Sequence, residues 1–491
     1  MSVAPVVSPR AAAVGAGPFA RTVALACAAF AVAGCTAVGP DYTRPATALP
    51  AAFPEQPAVQ APIVQPRWWT LYGDPVLVRL VDEALARNAD VRAAAARVDE
   101  TEAVLAQARA ALLPQVDLQG ASSRTRATQV GAVPLPVTAP IWQNSQRLVL
   151  STTFEIDFWG KLRRADEAAR AQALGSRYAE GVVATTLAGA TAQSYFALRS
   201  LDAQGQATAA TVTAREGTLD LARRRVQGGV ASDLDVAQAA GALADARVQL
   251  VELRRQRALV EHQLAVLTGR PGAGVPPTEG FTALPVPPAP PAGLPSSLVD
   301  RRPDVLQAEA SLAAASALIG VAKAAEYPSF SLTAFLGAQA ADIGNVLDGR
   351  GRVGQLGASV FWPVIDAGRY AARTREAQAR AEQAAAVYEK TVQVAWREVA
   401  DALDSLGAAT RSEADVQARL AAARDALRLV QVRYEAGYSG YLEVLDAQRT
   451  LNAAELAAIQ NRQARLATSV ELMKALGGGW QAPAALGSTA R

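Results

Sequence analysis

The sequence repeats itself at a fixed interval, and this duplication constrains the fold more than any other feature. Residues of the first half recur 208 positions later, and the pairs include Gly160 with Gly368, Lys161 with Arg369, Leu243 with Leu451, and Gly269 with Gly477. Earlier in each half the interval is 214, relating Arg87, Asp90, Val91 and Pro114 to Arg301, Asp304, Val305 and Pro328. One loop between Pro114 and Gly160 is therefore shorter in the second copy, while the constant spacing beyond it predicts rigid elements.

Proline placement predicts long helices in both copies. No proline occurs from Ile141 to Arg270 or from Val364 to Ala482. Each half is predicted to contain a helix, a proline with two strands, a very long helix, a glycine-containing turn and a last helix. The predicted first helices are about Pro75–Leu112 and Leu298–Ala325, and the long ones are about Lys161–Val226 and Arg369–Tyr434. Each long helix would extend roughly 100 Å. A heptad pattern of apolar residues from Val236 to Leu267 indicates coiled-coil packing of the last helix.

Four segments alternate between apolar and polar residues, as half-exposed strands do. The longest covers residues 147–158, and the others cover residues 116–120, 329–336 and 355–362. Two readings fit, a transmembrane barrel segment or a soluble sandwich, and long helices between the hairpins make the sandwich a poor fit. Four strands cannot enclose water, and open sheet edges are not tolerated in lipid. If the strands cross a membrane, several chains must contribute, and three chains give twelve strands.

The N-terminal segment 1–34 has the features of a signal peptide. Arg10 and Arg21 precede an apolar run from Val23 to Ala33, and no acidic residue occurs before Asp41. The run ends in Val32-Ala33-Gly34-Cys35, which resembles a bacterial lipoprotein cleavage site. We expect Cys35 to be acylated, so that covalent lipid anchors the chain in a membrane. The alternative is a soluble secreted protein in which this cysteine occurs by chance.

The composition excludes several classes of protein. The 48 Lys and Arg residues nearly balance 45 Asp and Glu, so no basic surface for nucleic acid is expected. One histidine, two cysteines and two methionines exclude most metal sites based on histidine or cysteine, and they exclude any disulfide framework. The histidine, His262, is predicted to be a helix-surface residue. No Walker A, G-x-G-x-x-G or G-x-S-x-G motif occurs, so we expect neither an enzyme nor a cofactor beyond the lipid on Cys35. A trimeric adhesin or stalk is the remaining alternative class.

These patterns divide the chain into six predicted segments. They are a signal peptide (1–34), a lipidated N-terminal segment (35–74), a first repeat (75–270), a proline-rich connector (271–297), a second repeat (298–477) and a C-terminal tail (478–491).

Several short motifs occur together along nearly the whole mature chain. They are Cys35 followed by Gly39-Pro40-Asp41-Tyr42 and Pro45, Trp68-Trp69, Asp157-Phe158-Trp159-Gly160-Lys161, Arg301-Arg302-Pro303-Asp304-Val305, Arg433-Tyr434 with Gly437, Tyr441-Leu442, and Leu445-Asp446-Ala447-Gln448-Arg449. In this combination the chain resembles the outer-membrane factor family (TolC-like), and especially its OprM/NodT lipoprotein branch.

The resemblance implies a mainly α fold with transmembrane β-strands, and it implies an equatorial region that includes residues 35–74 and the connector 271–297. It implies a TolC-like homotrimer in the outer membrane of a Gram-negative bacterium, with a twelve-stranded β-barrel and a long periplasmic α-helical barrel. The implied function is the exit duct of a tripartite efflux pump, working with a periplasmic adaptor protein and an inner-membrane RND-type transporter. The alternative is the outer-membrane component of an ABC-driven, type I-like export system. The sequence does not identify the cargo.

The resemblance also implies a periplasmic gate. The adaptor-facing turns would contain Gly228, Gly229, Ser232 and Asp233 in the first copy, and Gly437 and Gly440 in the second. Gate residues carried over from the family are Leu442, Asp446, Arg449 and Tyr434. Around a three-fold axis, Leu442 and Asp446 would form one apolar and one carboxylate ring. The alternative is that Asp446 and Arg449 form an exposed helix pair worth little. Trp159 and Trp362, at strand ends, fit either an interfacial aromatic belt or packing in the collar.

Overall fold

A computed structural model describes residues 37–46, 49–50, 65–128, 136, 138–276, 280–287, 300–346 and 348–481. The predicted signal peptide, Cys35 and much of the proline-rich connector lie outside the described residues. The helices are α1 Pro75–Arg87, α2 Ala89–Ala110, α3 Lys161–Gln227, α4 Asp233–Leu267, α5 Pro303–Ala324, α6 Arg369–Arg411, α7 Glu413–Glu435 and α8 Tyr441–Ala475. The strands are β1 Gln115–Arg126, β2 Trp142–Ile156, β3 Ser329–Ala340 and β4 Arg352–Phe361.

The duplication in the sequence is reproduced in the element boundaries. The bounds of α5 and β3 follow those of α2 and β1 at the longer of the two intervals, and the bounds of α8 follow those of α4 at the shorter one. Glycines with a left-handed backbone recur at the shorter interval too, with φ of 77° at Gly160 and 80° at Gly368, and 65° at Gly269 and 76° at Gly477. A side chain is strained in this conformation, so both copies retain glycine there.

The first predicted helix was wrong at one point, because Asn88 divides it into α1 and α2. Asn88 is extended at ψ 140°, and its side-chain oxygen accepts from the backbone N–H of Asp90 at 2.7 Å. Its amide group donates to the carbonyl of Leu267, at the end of α4, at 3.0 Å. The asparagine therefore starts a new helix and ties it to α4, and no proline or glycine marks this break.

The second long helix was also predicted as continuous, and the structure interrupts it at Ser412. The Ser412 hydroxyl donates to the carbonyl of Ala409 at 3.2 Å and accepts from the side chain of Asn461 at 3.0 Å. A serine that bonds to the preceding turn competes with the helix backbone. The corresponding interval in the first copy is one helix, α3, of 67 residues.

The four strands form one antiparallel sheet in the order β1-β2-β3-β4. The register places Leu118 opposite Leu150, Leu150 opposite Leu336, and Phe154 opposite Leu332, so the predicted apolar residues share one face. This face is exposed in the single chain, with 67% exposure at Leu118 and 70% at Leu336. The β3–β4 connection is shorter than the β1–β2 connection, as the change of interval predicted.

The chain folds into two compact units, each built from segments of both copies. Of the described residues, those within 37–43, 103–170 and 313–382 form one unit, which includes the sheet. Those within 44–102, 171–312 and 383–481 form the other. The second unit contains a large apolar core, in which Trp68, Trp69 and Tyr72 of an N-terminal 3₁₀ helix pack against Tyr195, Phe196 and Leu466.

Among the described residues, Pro303–Ala324 is the one helix whose length and composition would allow it to cross a membrane. A buried core helix passes the same test, so this finding carries little weight on its own.

Candidate functional site in the tip turns

The tip turns, defined as Gly228–Asp233 and Gly437–Tyr441, have the same geometry in both copies. In the first, the N–H groups of Gly229 and Val230 donate to the carbonyls of Val226 and Arg225, both at 2.9 Å. In the second, Gly437 and Tyr438 donate to Tyr434 and Arg433 at 3.0 and 2.8 Å. Both are Schellman motifs, in which the left-handed residue is Gly229 (φ 71°) or Gly437 (φ 84°).

The two turns differ in how the following helix begins. Ser232 caps α4, because its hydroxyl accepts from Leu234 N–H at 3.1 Å while Asp235 accepts from Ser232 N–H at 3.3 Å. This capping box satisfies backbone donors that α4 otherwise leaves free, and Asp233 is the first residue of the helix. α8 has Gly440 at the same place, which has no side chain to cap with. The second turn therefore has fewer contacts that fix it.

An apolar cluster beneath the turns joins the two copies. Tyr434 and Tyr441 are 5% and 2% exposed, and they pack with Leu219 and Ala222 of α3 and Leu243 of α4. Burial raises the pKa of both phenols above its usual value. The Tyr434 hydroxyl is buried and has no hydrogen-bond partner in the described part of this chain.

Arg225 of α3 binds Tyr434 directly. Its guanidinium carbon lies 4.5 Å from the centre of the Tyr434 ring, and Nη1 donates to the Tyr434 carbonyl at 2.6 Å. A cation over an aromatic face is attracted by the ring quadrupole, and the attraction grows when water is excluded. The contact ties the end of α3 to the end of α7.

Two further polar contacts cross between helices beneath the turns. Gln448 of α8 donates to the Thr218 hydroxyl of α3 at 3.1 Å. Arg215 of α3, 7% exposed, donates to the carbonyl of Ala242 of α4. Burial lowers the pKa of Arg215, the charge of Arg449 lowers it further, and Tyr441 and Asp245 act in the opposite direction.

Sequence reasoning assigned no role to Arg225, Thr218, Gln448 or Arg215. The sequence did carry one signal, because Arg225 matches Arg433 across the repeat, yet of these two only Arg225 lies over the Tyr434 ring.

Three of the predicted gate residues lie along α8 near its start. Leu442 is 65% exposed, Asp446 lies one turn further on, and Arg449 follows. Neither Asp446 nor Arg449 forms an ion pair with any residue that the structure describes, so the pair considered from the sequence does not form within one chain. The fourth, Tyr434, is buried beside them and held by Arg225.

Each turn also exposes two apolar side chains at matching positions. Val230 and Leu234 are 69% and 62% exposed in the first turn, and Tyr438 and Leu442 are 80% and 65% exposed in the second. Four such side chains around two turns form a surface suited to another protein.

Within the described ranges, no group of three or more His, Cys, Asp or Glu side chains could hold a metal ion. His262 is exposed on α4, as predicted.

Comparison with known proteins identifies the family. A family model described as "Outer membrane efflux protein" matches residues 80–270 and 294–478, one range in each copy. The chain is 35% identical to the toluene efflux pump outer membrane protein TtgC of Pseudomonas putida, over 93% of this chain and 95% of the relative. It is 32% identical to the outer membrane protein OprJ of Pseudomonas aeruginosa, over 91% and 94%, and 31% identical to the cation efflux system protein CusC of Escherichia coli, over 93% and 98%.

Solved structures give the same result. The outer-membrane channel OprN has a TM-score of 0.84 at 28% identity, covering 90% of this chain and 99% of that one. CusC has a TM-score of 0.81 at 29% identity, covering 90% and 100%. The fold is therefore that of TolC-like outer-membrane channels, as the sequence predicted. With sequence, fold and duplication in agreement, the chain belongs to the outer membrane efflux protein family.

Proposed function

We propose that three copies of this outer-membrane efflux protein assemble into the exit duct of a tripartite pump. The observation that carries this proposal is the four-stranded sheet, in which β1 and β4 each have one edge without a partner among the described residues. The apolar face is exposed, and lipid tolerates such a sheet only when its edges are closed. Three copies supply twelve strands, enough for a water-filled barrel. Native mass spectrometry of the detergent-extracted protein should give three times the chain mass, and a monomer would contradict the proposal.

The tip turns are the proposed periplasmic gate. Leu442 is exposed and Asp446 follows it by one helical turn, so a three-fold axis would stack a leucine ring and a carboxylate ring. Asp446 and Arg449 lack ion-pair partners within the described chain, which suits a contact with a neighbouring copy. A leucine ring disfavours water in a narrow passage, and a carboxylate ring disfavours anions.

The gate is tested by conductance in planar bilayers. An Asp446→Ala, Arg449→Ala double variant should conduct more than the wild type, because the contacts that hold the tip closed are gone. The control is Glu252→Ala, Arg255→Ala, which removes an exposed pair at 2.7 Å on α4, likewise three positions apart. If both double variants conduct as the wild type does, Asp446 and Arg449 do not restrain the tip.

A periplasmic adaptor protein is the proposed partner of the tip turns. The apolar side chains Val230, Leu234 and Tyr438 give the adaptor a surface beside Gly228, Gly229, Gly437 and Gly440. Val230→Asp with Tyr438→Asp should abolish efflux in cells while leaving conductance intact, because docking is lost and the duct is not. If that variant no longer forms trimers, these side chains instead contact neighbouring copies of the chain.

The proposed cargo is small molecules, delivered by an inner-membrane RND-type transporter. The support comes from two relatives: TtgC is named as a component of a toluene efflux pump, and CusC is named as a cation efflux system protein. Deletion of the gene should sensitise the bacterium to solvents or antibiotics, and restoration of the wild-type chain should reverse this. We propose that the chain is a passive passage and not a catalyst, and the support is its match to the outer membrane efflux protein family.

Lipid attachment at Cys35 is proposed from the sequence alone. A radioactive palmitate label should be present in the wild type and absent in a Cys35→Ser variant. Label that persists in the variant would place acylation elsewhere.

A further inference from the structure

The chain passes twice from a strand to a long helix, at residues 157–160 between β2 and α3 and at residues 362–368 between β4 and α6. In the first of these junctions the side chains contact other residues of the same chain. Trp159 stacks on Tyr327 with ring centres 4.6 Å apart, and its indole N–H donates to the carbonyl of Pro328 at 2.8 Å. The basic residues that follow are neutralised within the chain: Lys161 lies 3.0 Å from Glu155, and Arg163 lies 3.2 Å from Asp157. Trp159 therefore packs against residues of its own chain.

The corresponding junction of the second copy exposes more apolar surface. Ala367 matches Trp159 at the 208-residue interval, and the nearby Trp362 donates its indole N–H to the carbonyl of Glu326 at 3.3 Å. Trp362, Val364 and Ile365 are 57%, 75% and 95% exposed. The guanidinium carbons of Arg369 and Arg373, both exposed, lie 4.8 and 5.4 Å from the centre of the Tyr370 ring. Neither arginine forms an ion pair with a carboxylate in the described ranges.

A fixed turn holds these groups in place. Asp366 accepts from the N–H groups of Gly368 at 3.0 Å and Tyr370 at 2.8 Å. Its charge reaches Arg369 at longer range, but its oxygens are already hydrogen-bonded to the backbone. Ala367 and Gly368 both have positive φ, of 53° and 80°, and a non-glycine residue adopts that conformation only when its surroundings impose it. The exposed side chains are thus presented on an ordered backbone.

We propose that this second junction binds the phospholipid leaflet of the outer membrane, with Arg369 and Arg373 on lipid phosphates and Trp362, Val364 and Ile365 at the acyl boundary. The apolar face of the sheet continues into it, since Leu356 and Val360 of β4 are 82% and 63% exposed on the face that leads to Trp362. Unpaired arginines complement an anionic headgroup, and tryptophan favours the interface between lipid and water. The duplication supplies a comparison for the charge, because Lys161, the counterpart of Arg369, is paired within the chain with Glu155.

Lipid binding at this junction is separate from the proposed duct and gate. The test uses the full-length protein in nanodiscs of phosphatidylethanolamine with added phosphatidylglycerol. Native mass spectrometry counts the phosphatidylglycerol retained per subunit after release. The Arg369→Gln, Arg373→Gln double variant should retain less phosphatidylglycerol than the wild type. The affinity for this lipid should fall about fivefold for each arginine removed, because each contributes to anionic lipid binding. The control is Arg411→Gln, Arg419→Gln, which removes two exposed arginines remote in sequence from the junction and should retain lipid as the wild type does.

Trp362→Ala provides a second, charge-neutral variant, and it should reduce retention of both lipids alike. Equal retention of phosphatidylglycerol by the wild type and the Arg369→Gln, Arg373→Gln variant would overturn the proposal. A change in subunit number in that variant would also overturn it, because the junction would then be a contact between copies.

Discussion

The contact between Arg225 and Tyr434 is the best-defined restraint at the tip. Tyr434, Leu442, Asp446 and Arg449 could be named from the sequence, because they match family motifs in one short stretch. Arg225 could not, since its hydrogen bond to Tyr434 joins residues 209 positions apart. No periodic pattern in the sequence reports a contact of that kind, which depends on how two hairpins pack.

We expect Tyr434→Phe to leave the conductance of the proposed gate unchanged and Arg225→Ala to raise it. The phenylalanine retains the ring over which Arg225 lies and removes a hydroxyl that has no partner in the described chain, so stability should be unchanged or higher. Arg225→Ala loses both the ring contact and the hydrogen bond, at a cost of about 1–2 kcal/mol. Bilayer conductance and thermal unfolding measure the two effects.

The matched control for Arg225→Ala is Arg224→Ala. Arg224 is exposed and pairs with Asp220 one helical turn earlier, an interaction worth little at a helix surface. Equal conductance of the two alanine variants would show that the Tyr434 contact does not hold the gate.

The backbone conformation requires glycine at position 437 but not at position 440. Gly437 has φ 84°, whereas Gly440 has an ordinary extended backbone at φ −78°. Gly437→Ala should destabilise the protein by about 1 kcal/mol, and Gly440→Ala should have a small or stabilising effect. Denaturant unfolding compares the two variants, and a similar loss in both would mean that conformation is not the cause.

At the scale of elements, the sequence predicted what periodicity and spacing encode. The repeat interval placed α8 correctly relative to α4, and alternation assigned the exposed apolar face of the sheet. It did not predict the breaks at Asn88 and Ser412, because neither is marked by a proline or a glycine. Each side chain makes one hydrogen bond within its own turn and a second one to a residue distant in the chain. The second copy makes the same connection with a different side chain, since Arg302, the counterpart of Asn88, donates to the carbonyl of Ala475, the counterpart of Leu267.

We expect Asn88→Ala to lower stability by about 1–2 kcal/mol, because it removes the cap of α2 and leaves the Leu267 carbonyl without its donor. Asn88→Asp should lose less, since aspartate still accepts from Asp90 N–H. Thermal unfolding of both variants is the measurement. If aspartate is no better than alanine, the tie to Leu267 rather than the cap determines stability.

For the whole molecule, the proposed duct requires that the apolar face of the sheet meet lipid and that the other face line the passage. Leu356 lies on the apolar face of β4, and its neighbour Gln355 lies on the other. Lysine at a lipid-facing position costs about 2–4 kcal/mol near the middle of a bilayer and falls toward zero at its edges, whereas a duct-facing lysine remains in water. Leu356→Lys should therefore reduce the amount of trimer assembled in the outer membrane, while Gln355→Lys should assemble normally and shift ion selectivity toward anions.

Quantification of trimer in membrane fractions and reversal potentials in planar bilayers separate the two variants. If Gln355→Lys fails to assemble and Leu356→Lys is tolerated, the face that contains Leu356 does not meet lipid. The physical basis for a duct built from three copies would then be lost.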